Sequence, residues 1–368
     1  MSTLSDTAID ALELRIQVEI DSGRSGAAQY ALALGDQVIT GTFGDATAHH
    51  RFVIFSATKT FSAMALLPHL ADGSLELTAQ VARYIPEFAE QGKGEVTVLQ
   101  LLTMQGGFPQ APMTRDRWGT SEGRRVQFAE WRLDWPAGTR TEYHPVSAHW
   151  VIGELLETLT GRPYVDVIHE RVTAPADAPP LLGPAGDGPV VTVRATGAHP
   201  GNSPVAVAEM AEVYGRNDLV PQVTIGPEAL LSMNHPLVQA AGIPGGGGRT
   251  RAEDAVRVYR SFLRDDSPWM RDAIGVVRNG SVSVSDGVPA CRTIAGVVGG
   301  EDGYHRHRWY PSAPRSFGHA GAGGQLCWCD PATGLSFSFL HDTLHGDPRV
   351  DFLRSAELNE LALACVRS

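Results

Sequence analysis

Strand-like runs sit at the two ends of this chain and almost nowhere between them. Gln29 to Leu34 and Gln37 to Phe43 are short β-type runs joined by Gly35-Asp36, a dipeptide suited to a tight hairpin. Four more runs, Ser281 to Val284, Arg292 to Val298, Gln325 to Cys329 and Leu335 to Leu340, alternate or run apolar in the last third. Helix and loop patterns fill the space between. Strands need partners for their backbone groups, so the runs at the two chain ends are expected to join in one antiparallel sheet. The predicted fold class is therefore α+β, an antiparallel sheet flanked by helices. Residues 1–65 and 236–368 would form the sheet domain, residues 66–235 a mostly helical inserted domain, and a site would lie between them.

The helical patterns are specific. Ile9, Leu12, Ile16 and Ile20 recur at helical spacing over residues 6–21, and residues 351–366 predict an amphipathic closing helix. Val96 to Thr103 reads as a capped helix. Residues 146–160 form another, stopped by Thr160-Gly161-Arg162-Pro163. Residues 174–204, dense in proline, glycine and alanine, read as irregular surface or a boundary. After the glycine turn 245–248, Thr250-Arg251-Ala252-Glu253 predicts a capping box opening a helix over 251–264. No lysine follows those glycines and no G-x-G-x-x-G frame surrounds them, so a phosphate cradle is not expected.

Composition excludes several classes of partner. The 368 residues carry a formal charge of −11, which leaves no basic stripe for nucleic acid or an anionic membrane. No window approaches the roughly 18 apolar residues of a membrane span, and Met1 to Asp10 lacks the pattern of a signal peptide. A cytoplasmic protein is expected. Cys291, Cys327, Cys329 and Cys365 are too few for a disulfide framework, and Cys327-Trp328-Cys329 has strand alternation rather than zinc spacing. Lysine is scarce among the 30 basic residues, so Lys59 and Lys93 stand out. Lys93, in Gln91-Gly92-Lys93-Gly94-Glu95, is expected to be a solvated loop charge. Trp118, Trp131, Trp135 and Trp309 are read as core rather than pocket walls.

Lys59 belongs to Ser56-Ala57-Thr58-Lys59. Residues three apart share one helical face, so at the start of a helix the Ser56 hydroxyl and the Lys59 amine meet. A serine hydroxyl needs a neighbour to take its proton before it attacks an acyl carbon, and a buried lysine, its charge disfavoured, serves. The apolar run Arg51 to Phe55 before it and the apolar run Thr60 to Leu67 after it place the pair at a semi-buried helix mouth. Two further segments support this reading: Pro136-Ala137-Gly138-Thr139 leading to Tyr143, just before a helix, and His319-Ala320-Gly321 at the entry to a strand. Neither H-E-x-x-H nor G-x-S-x-G occurs, so the metalloprotease and α/β-hydrolase readings lack their signatures.

With these motifs in this order, the chain resembles the serine hydrolases of the β-lactamase superfamily, closest to class C β-lactamases, D-aminopeptidases and family VIII carboxylesterases. Leu101 to Phe108 and the hairpin Asp330-Pro331-Ala332-Thr333-Gly334 belong to the same resemblance. It implies a β-lactamase/penicillin-binding-protein-like fold. It implies Ser56 as the acylated nucleophile, Lys59 as the acceptor of its proton, and Tyr143 as a partner in that traffic that activates the deacylating water. The backbone N–H groups of Ser56 and Ala322 would form an oxyanion hole, with His319, Ala320, Gly321 and His144 near substrate. No metal or organic cofactor is implied. Two departures bear on substrate. Tyr143-His144-Pro145 has proline where β-lactamases carry an asparagine amide, and His319 replaces their lysine, a poorer anchor for the β-lactam carboxylate. The expectation is a carboxylesterase acting on small or moderate esters. Acyl transfer, β-lactamase or D-aminopeptidase chemistry, and a binding module that keeps only the fold are the alternatives; the acyl group and the oligomeric state are left open.

Overall fold

The computed structural model describes residues 3–184, 188–198, 208, 226–285, 287–302 and 313–367. Helix α1 spans Asp6–Asp21 and buries Ile9, Leu12 and Ile16. Strands β1 (Ala27–Leu34) and β2 (Gln37–Gly44) follow as a hairpin, and β3 (Phe52–Val53) leads into α2 (Thr58–Met64). The middle of the chain contributes α3 (Val98–Leu102), α4 (Ser121–Glu130) and α5 (Ser147–Thr160). The chain returns through β4 (Arg249–Thr250), α6 (Ala252–Arg264), β5 (Val297–Val298), β6 (Phe317–Gly318), β7 (Leu326–Asp330) and β8 (Leu335–His341). It closes with α7, Pro348–Ala364.

Six strands form one sheet in the order β2-β1-β8-β7-β6-β5, every neighbouring pair antiparallel. The two chain ends meet where β8 pairs with β1, from Leu335 opposite Leu34 to His341 opposite Ala28. All eight residues of β1 are buried because both faces of the sheet are covered. Tyr30, Leu32, Trp328 and Phe337 pack with Leu12, Ile16, Leu358 and Ala362 of α1 and α7. The small residues Ala31 and Ala33 face the other way and let Val256 and Tyr259 of α6 approach. Cys327 and Cys329 lie on that side, free and buried, and burial pushes the Cys327 thiol up to about 12.

Several expected elements differ. Ser281–Val284 makes only isolated bridges, and of Arg292–Val298 only Val297–Val298 is a strand. Ser283 instead bridges to Thr141 and Val282 to Pro289, while Arg292 bridges to Asn279 and Val297. Thr250 does not cap the helix after it: it pairs with Phe52, its hydroxyl donates to the Arg251 carbonyl, and α6 starts at Ala252 with no side-chain cap. The stretch 174–204 contains a short surface strand, Arg194–Thr196, parallel to Thr343–His345. Lys93 is not solvated. Its Nζ donates to the carbonyls of Glu90 and Trp131 and sits 5.6 Å from the centre of the Phe88 ring, and burial draws its pKa down to about 8. Among the described residues, no helix is long and apolar enough to cross a membrane; Trp309 lies outside them.

Candidate active site

Ser56 is placed by a short, constrained piece of backbone. β3 is pinned to β4 through Phe52–Thr250 and Val53–Arg249, and the Ile54 N–H donates to the Gly248 carbonyl at 2.9 Å. Phe55 then takes a φ of +44°, left-handed and unfavourable for a bulky residue, at a cost of about 1–3 kcal/mol. Packing of its ring with Val53, Val193 and Leu344 holds it there. The reversal starts one 3₁₀ turn, Phe55–Ala57, that runs straight into α2. Ser56 thus stands half-buried at a helix mouth, with Lys59 one turn on and buried.

Lys59 Nζ lies within hydrogen-bond distance of three oxygens: Ser56 Oγ at 3.1 Å, and the carbonyls of Pro145 and Gly245 at 2.6 Å each. Burial holds its pKa well below the ordinary lysine value, and the charge of Arg292 adds to that. The glycine run supplies one of those carbonyls by coming close. Gly248 N–H donates to Thr58 Oγ1 at 2.9 Å, and a Cβ at Gly248 would sit 2.5 Å from that same oxygen. The run 245–248 is therefore a close-approach device for α2.

Tyr143 arrives from the opposite side, its hydroxyl 2.9 Å from Ser56 Oγ and hydrogen-bonded to it. Its loop is fixed by the stretch that failed to become a strand. Val284 N–H donates to the Thr141 carbonyl, Asn279 Nδ2 donates to Thr103 O and Thr141 Oγ1, and the Tyr143 N–H donates to Ser285 Oγ at 3.4 Å. His319, buried, stacks on the phenol ring with centroids 5.8 Å apart and planes 29° apart. Its Nδ1 donates to the Ala320 carbonyl at 2.9 Å. Arg292, also buried, brings its guanidinium carbon to 5.3 Å from the centre of the same ring.

Gly321 brings the third segment against the first: a Cβ there would lie 2.2 Å from the Ile54 carbonyl. Ala322 follows at the start of a 3₁₀ turn, Ala322–Gly324. Among the described residues, neither the Ser56 nor the Ala322 N–H donates to another protein group. His144 is buried. Its Nε2 accepts the Phe108 N–H at 3.1 Å and its Nδ1 donates to the Glu142 carbonyl at 2.7 Å, so both ring nitrogens are used to tie two loops together. Burial lowers its pKa to about 4. His149, fully enclosed on α5, is likewise held well below the ordinary histidine value by burial and by the nearby Lys59 charge.

A cavity of about 780 Å³ opens beside Ser56. Phe55, Met113, Trp118, Trp150, Leu230 and Met233 line much of it. Trp118, expected in the core, is a wall of this cavity and stacks on Trp150 at 5.9 Å. Among the described residues, no group of three or more histidine, cysteine or acidic side chains is arranged to hold a metal ion. The sequence reading missed Arg292 and the two carbonyl partners of Lys59. Nothing local marks them: one is an isolated arginine, and the others are backbone.

Over residues 11–361 the chain matches the family model described as Beta-lactamase. It is 27% identical over 325 residues to the esterase/beta-lactamase LipL of Mycobacterium tuberculosis, covering 79% of this chain and 69% of that protein. Among solved structures, it is similar to a penicillin-binding protein homologue from Caulobacter crescentus, with a TM-score of 0.76, 19% identity, and 99% and 100% of the two chains covered. It is similar also to a family VIII carboxylesterase, with a TM-score of 0.75, 21% identity, and 99% and 100% covered.

Proposed function

Since the chain belongs to the Beta-lactamase family, we propose that it is a serine hydrolase cleaving small or moderate carboxylic esters through an acyl-enzyme on Ser56. The observation that carries this reading is the shared position of Ser56 Oγ, hydrogen-bonded to Lys59 Nζ at 3.1 Å and to Tyr143 Oη at 2.9 Å. A neutral lysine amine has two N–H bonds and one lone pair. The carbonyls of Pro145 and Gly245 take the two N–H bonds, which leaves the lone pair for the Ser56 proton.

Ser56 Oγ attacks the ester carbonyl as its proton passes to Lys59, and the carbonyl π electrons move onto oxygen. The N–H groups of Ser56 and Ala322 receive that oxyanion; losing one such donor typically costs about 10²–10³ in rate. The tetrahedral intermediate collapses, the C–O bond to the leaving alcohol breaks, and Lys59 returns the proton through Tyr143 to the alkoxide. Water then attacks the acyl-enzyme as it gives a proton to Tyr143, whose own proton passes to Lys59; the tetrahedral intermediate collapses, the C–O bond to Ser56 breaks, and Lys59 returns the proton to Ser56 Oγ. Ester rather than β-lactam substrate is supported by two features. Pro145 offers no side-chain amide, and its carbonyl is already taken by Lys59. The cavity beside Ser56 has mostly apolar walls.

The test is turnover of p-nitrophenyl acetate and butyrate and of a chromogenic cephalosporin, beside Ser56→Ala. Ester turnover that is abolished in Ser56→Ala is expected. Turnover that survives the substitution would remove Ser56 from the mechanism. Fast cephalosporin turnover with negligible ester turnover would reverse the substrate choice. Products captured by an added alcohol faster than by water would favour acyl transfer. A fluorophosphonate that leaves no adduct on Ser56 would favour a binding module.

A further inference from the structure

Tyr143 has an arginine beside its ring that the chemistry above does not use. The Arg292 guanidinium carbon lies 5.3 Å from the ring centre and Lys59 Nζ lies 5.1 Å from it, so the arginine and the lysine both stand close to one phenol. Arg292 is buried, at 5% exposure, so water screens its charge little. Its backbone is fixed as well. Arg292 exchanges hydrogen bonds with Asn279, whose side-chain amide reaches Thr103 and Thr141 just before Tyr143. The segment that positions the tyrosine loop thus also delivers the charge.

We infer that Arg292 is a positioning residue for this site: its buried guanidinium is the fixed positive charge that keeps the Tyr143–Lys59 pair able to accept the Ser56 proton. The inference rests on the reading of Ser56 as the nucleophile. A proton acceptor must be deprotonated to act, and a permanent cation nearby opposes its protonation. Arginine suits the task because it does not lose its own proton in the working range. The fall in Lys59 basicity attributed to Arg292 has the same sign. Among the described residues, the titratable or charged groups near the pair include His319, stacked on Tyr143, His144 and His149 on the α5 side, and the Arg140–Glu142 ion pair in the tyrosine loop.

The test is the pH profile of kcat/KM for p-nitrophenyl butyrate, paired with the pH dependence of fluorophosphonate labelling of Ser56. In Arg292→Met the acidic limb of both should move up by about 1–2 pH units, because the pair now holds its proton to higher pH. Arg292→Lys should return the limb to within roughly half a unit of wild type. If Arg292→Met does not fold, judged by its melting curve, Arg292→Gln carries the same expectation. An unmoved limb with activity lowered equally at every pH would reduce Arg292 to a packing role and overturn the inference. So would failure of lysine to restore the limb. His319→Gln should leave the limb in place; its disappearance would assign the limb to His319 and overturn the inference too. A wild type that neither turns over esters nor labels at Ser56 is the separate failure of the nucleophile reading.

Discussion

Protonating His144 would force its Nε2 to give up the Phe108 N–H that it accepts, inside a site with no exposure. Its folded pKa of about 4 lies below the ordinary value of 6.5. The sign follows. Above pH 6.5 the ring is neutral in both states and its contribution is fully present; as pH falls from 6.5 towards 4 the unfolded chain binds a proton that the folded chain refuses. Stability is lost across that window, by about 3 kcal/mol for this group. Denaturant midpoints measured from neutral to pH 4 should therefore fall steeply in wild type and less steeply in His144→Asn, which starts lower at neutral pH. Equal acid slopes in the two proteins would remove His144 as a cause. At this scale the sequence was readable where chemistry is local. Ser56 and Lys59 are one helical turn apart, so their spacing alone predicts the meeting. His144, Lys93 and Arg292 depend on what folds around them: two loops, a buried pair of carbonyls, and a tyrosine 149 positions away. No periodicity records such neighbours.

Among elements, the junction between Ile54 and the segment His319-Ala320-Gly321 is the tightest constraint on the site. A Cβ at Gly321 would stand 2.2 Å from a backbone oxygen, and backbone cannot rotate aside as a side chain would. Gly321→Ala should push the segment, and the Ala322 N–H with it, away from Ser56. The expected result is a kcat lowered about 10²–10³-fold, the loss typical of one oxyanion donor, with KM for a short ester changed far less. Steady-state kinetics beside a melting curve separates this from general unfolding; a Gly321→Ala protein with wild-type kcat would show that Ala322 plays no such part. The hairpin β1–β2 was legible from its turn dipeptide, the helix bearing Lys59 from its apolar run, and the helix ended by Gly161 from its C-cap glycine. The segment from Ser281 to Val298 misled because its apolar alternation suits a strand. Apart from Val297–Val298, which pairs with β6, its partners turned out to be single residues, Thr141 among them, rather than a neighbouring strand. Thr250 misled for a related reason: strand pairing with Phe52 outcompeted a cap worth about 1 kcal/mol.

For the whole molecule, the sheet built from both chain ends and the family membership followed from patterns visible along the chain, whereas the cavity did not. Its walls come from four distant stretches, Phe55–Ser56 and the residues around 109–118, 145–150 and 228–246, that only the finished fold assembles. Those walls carry the last expectation. Trp118 and Trp150 stack on each other in the wall, and Met113, Leu230, Met233 and Ser56 line the same cavity. An ester whose apolar arm enters this space should gain about 0.8 kcal/mol for each methylene removed from water, roughly a fourfold rise in kcat/KM per carbon. The rise should stop when the arm meets the far wall. In a p-nitrophenyl series of increasing acyl length, kcat/KM is therefore expected to climb from acetate, level off, and then decline. Trp118→Ala, by opening one side, should move the plateau to longer chains while leaving acetate turnover within a few-fold of wild type. A series that is flat from acetate onward, or a plateau that Trp118→Ala leaves in place, would mean that the acyl arm lies elsewhere and that this cavity holds the alcohol side of the ester or no part of it.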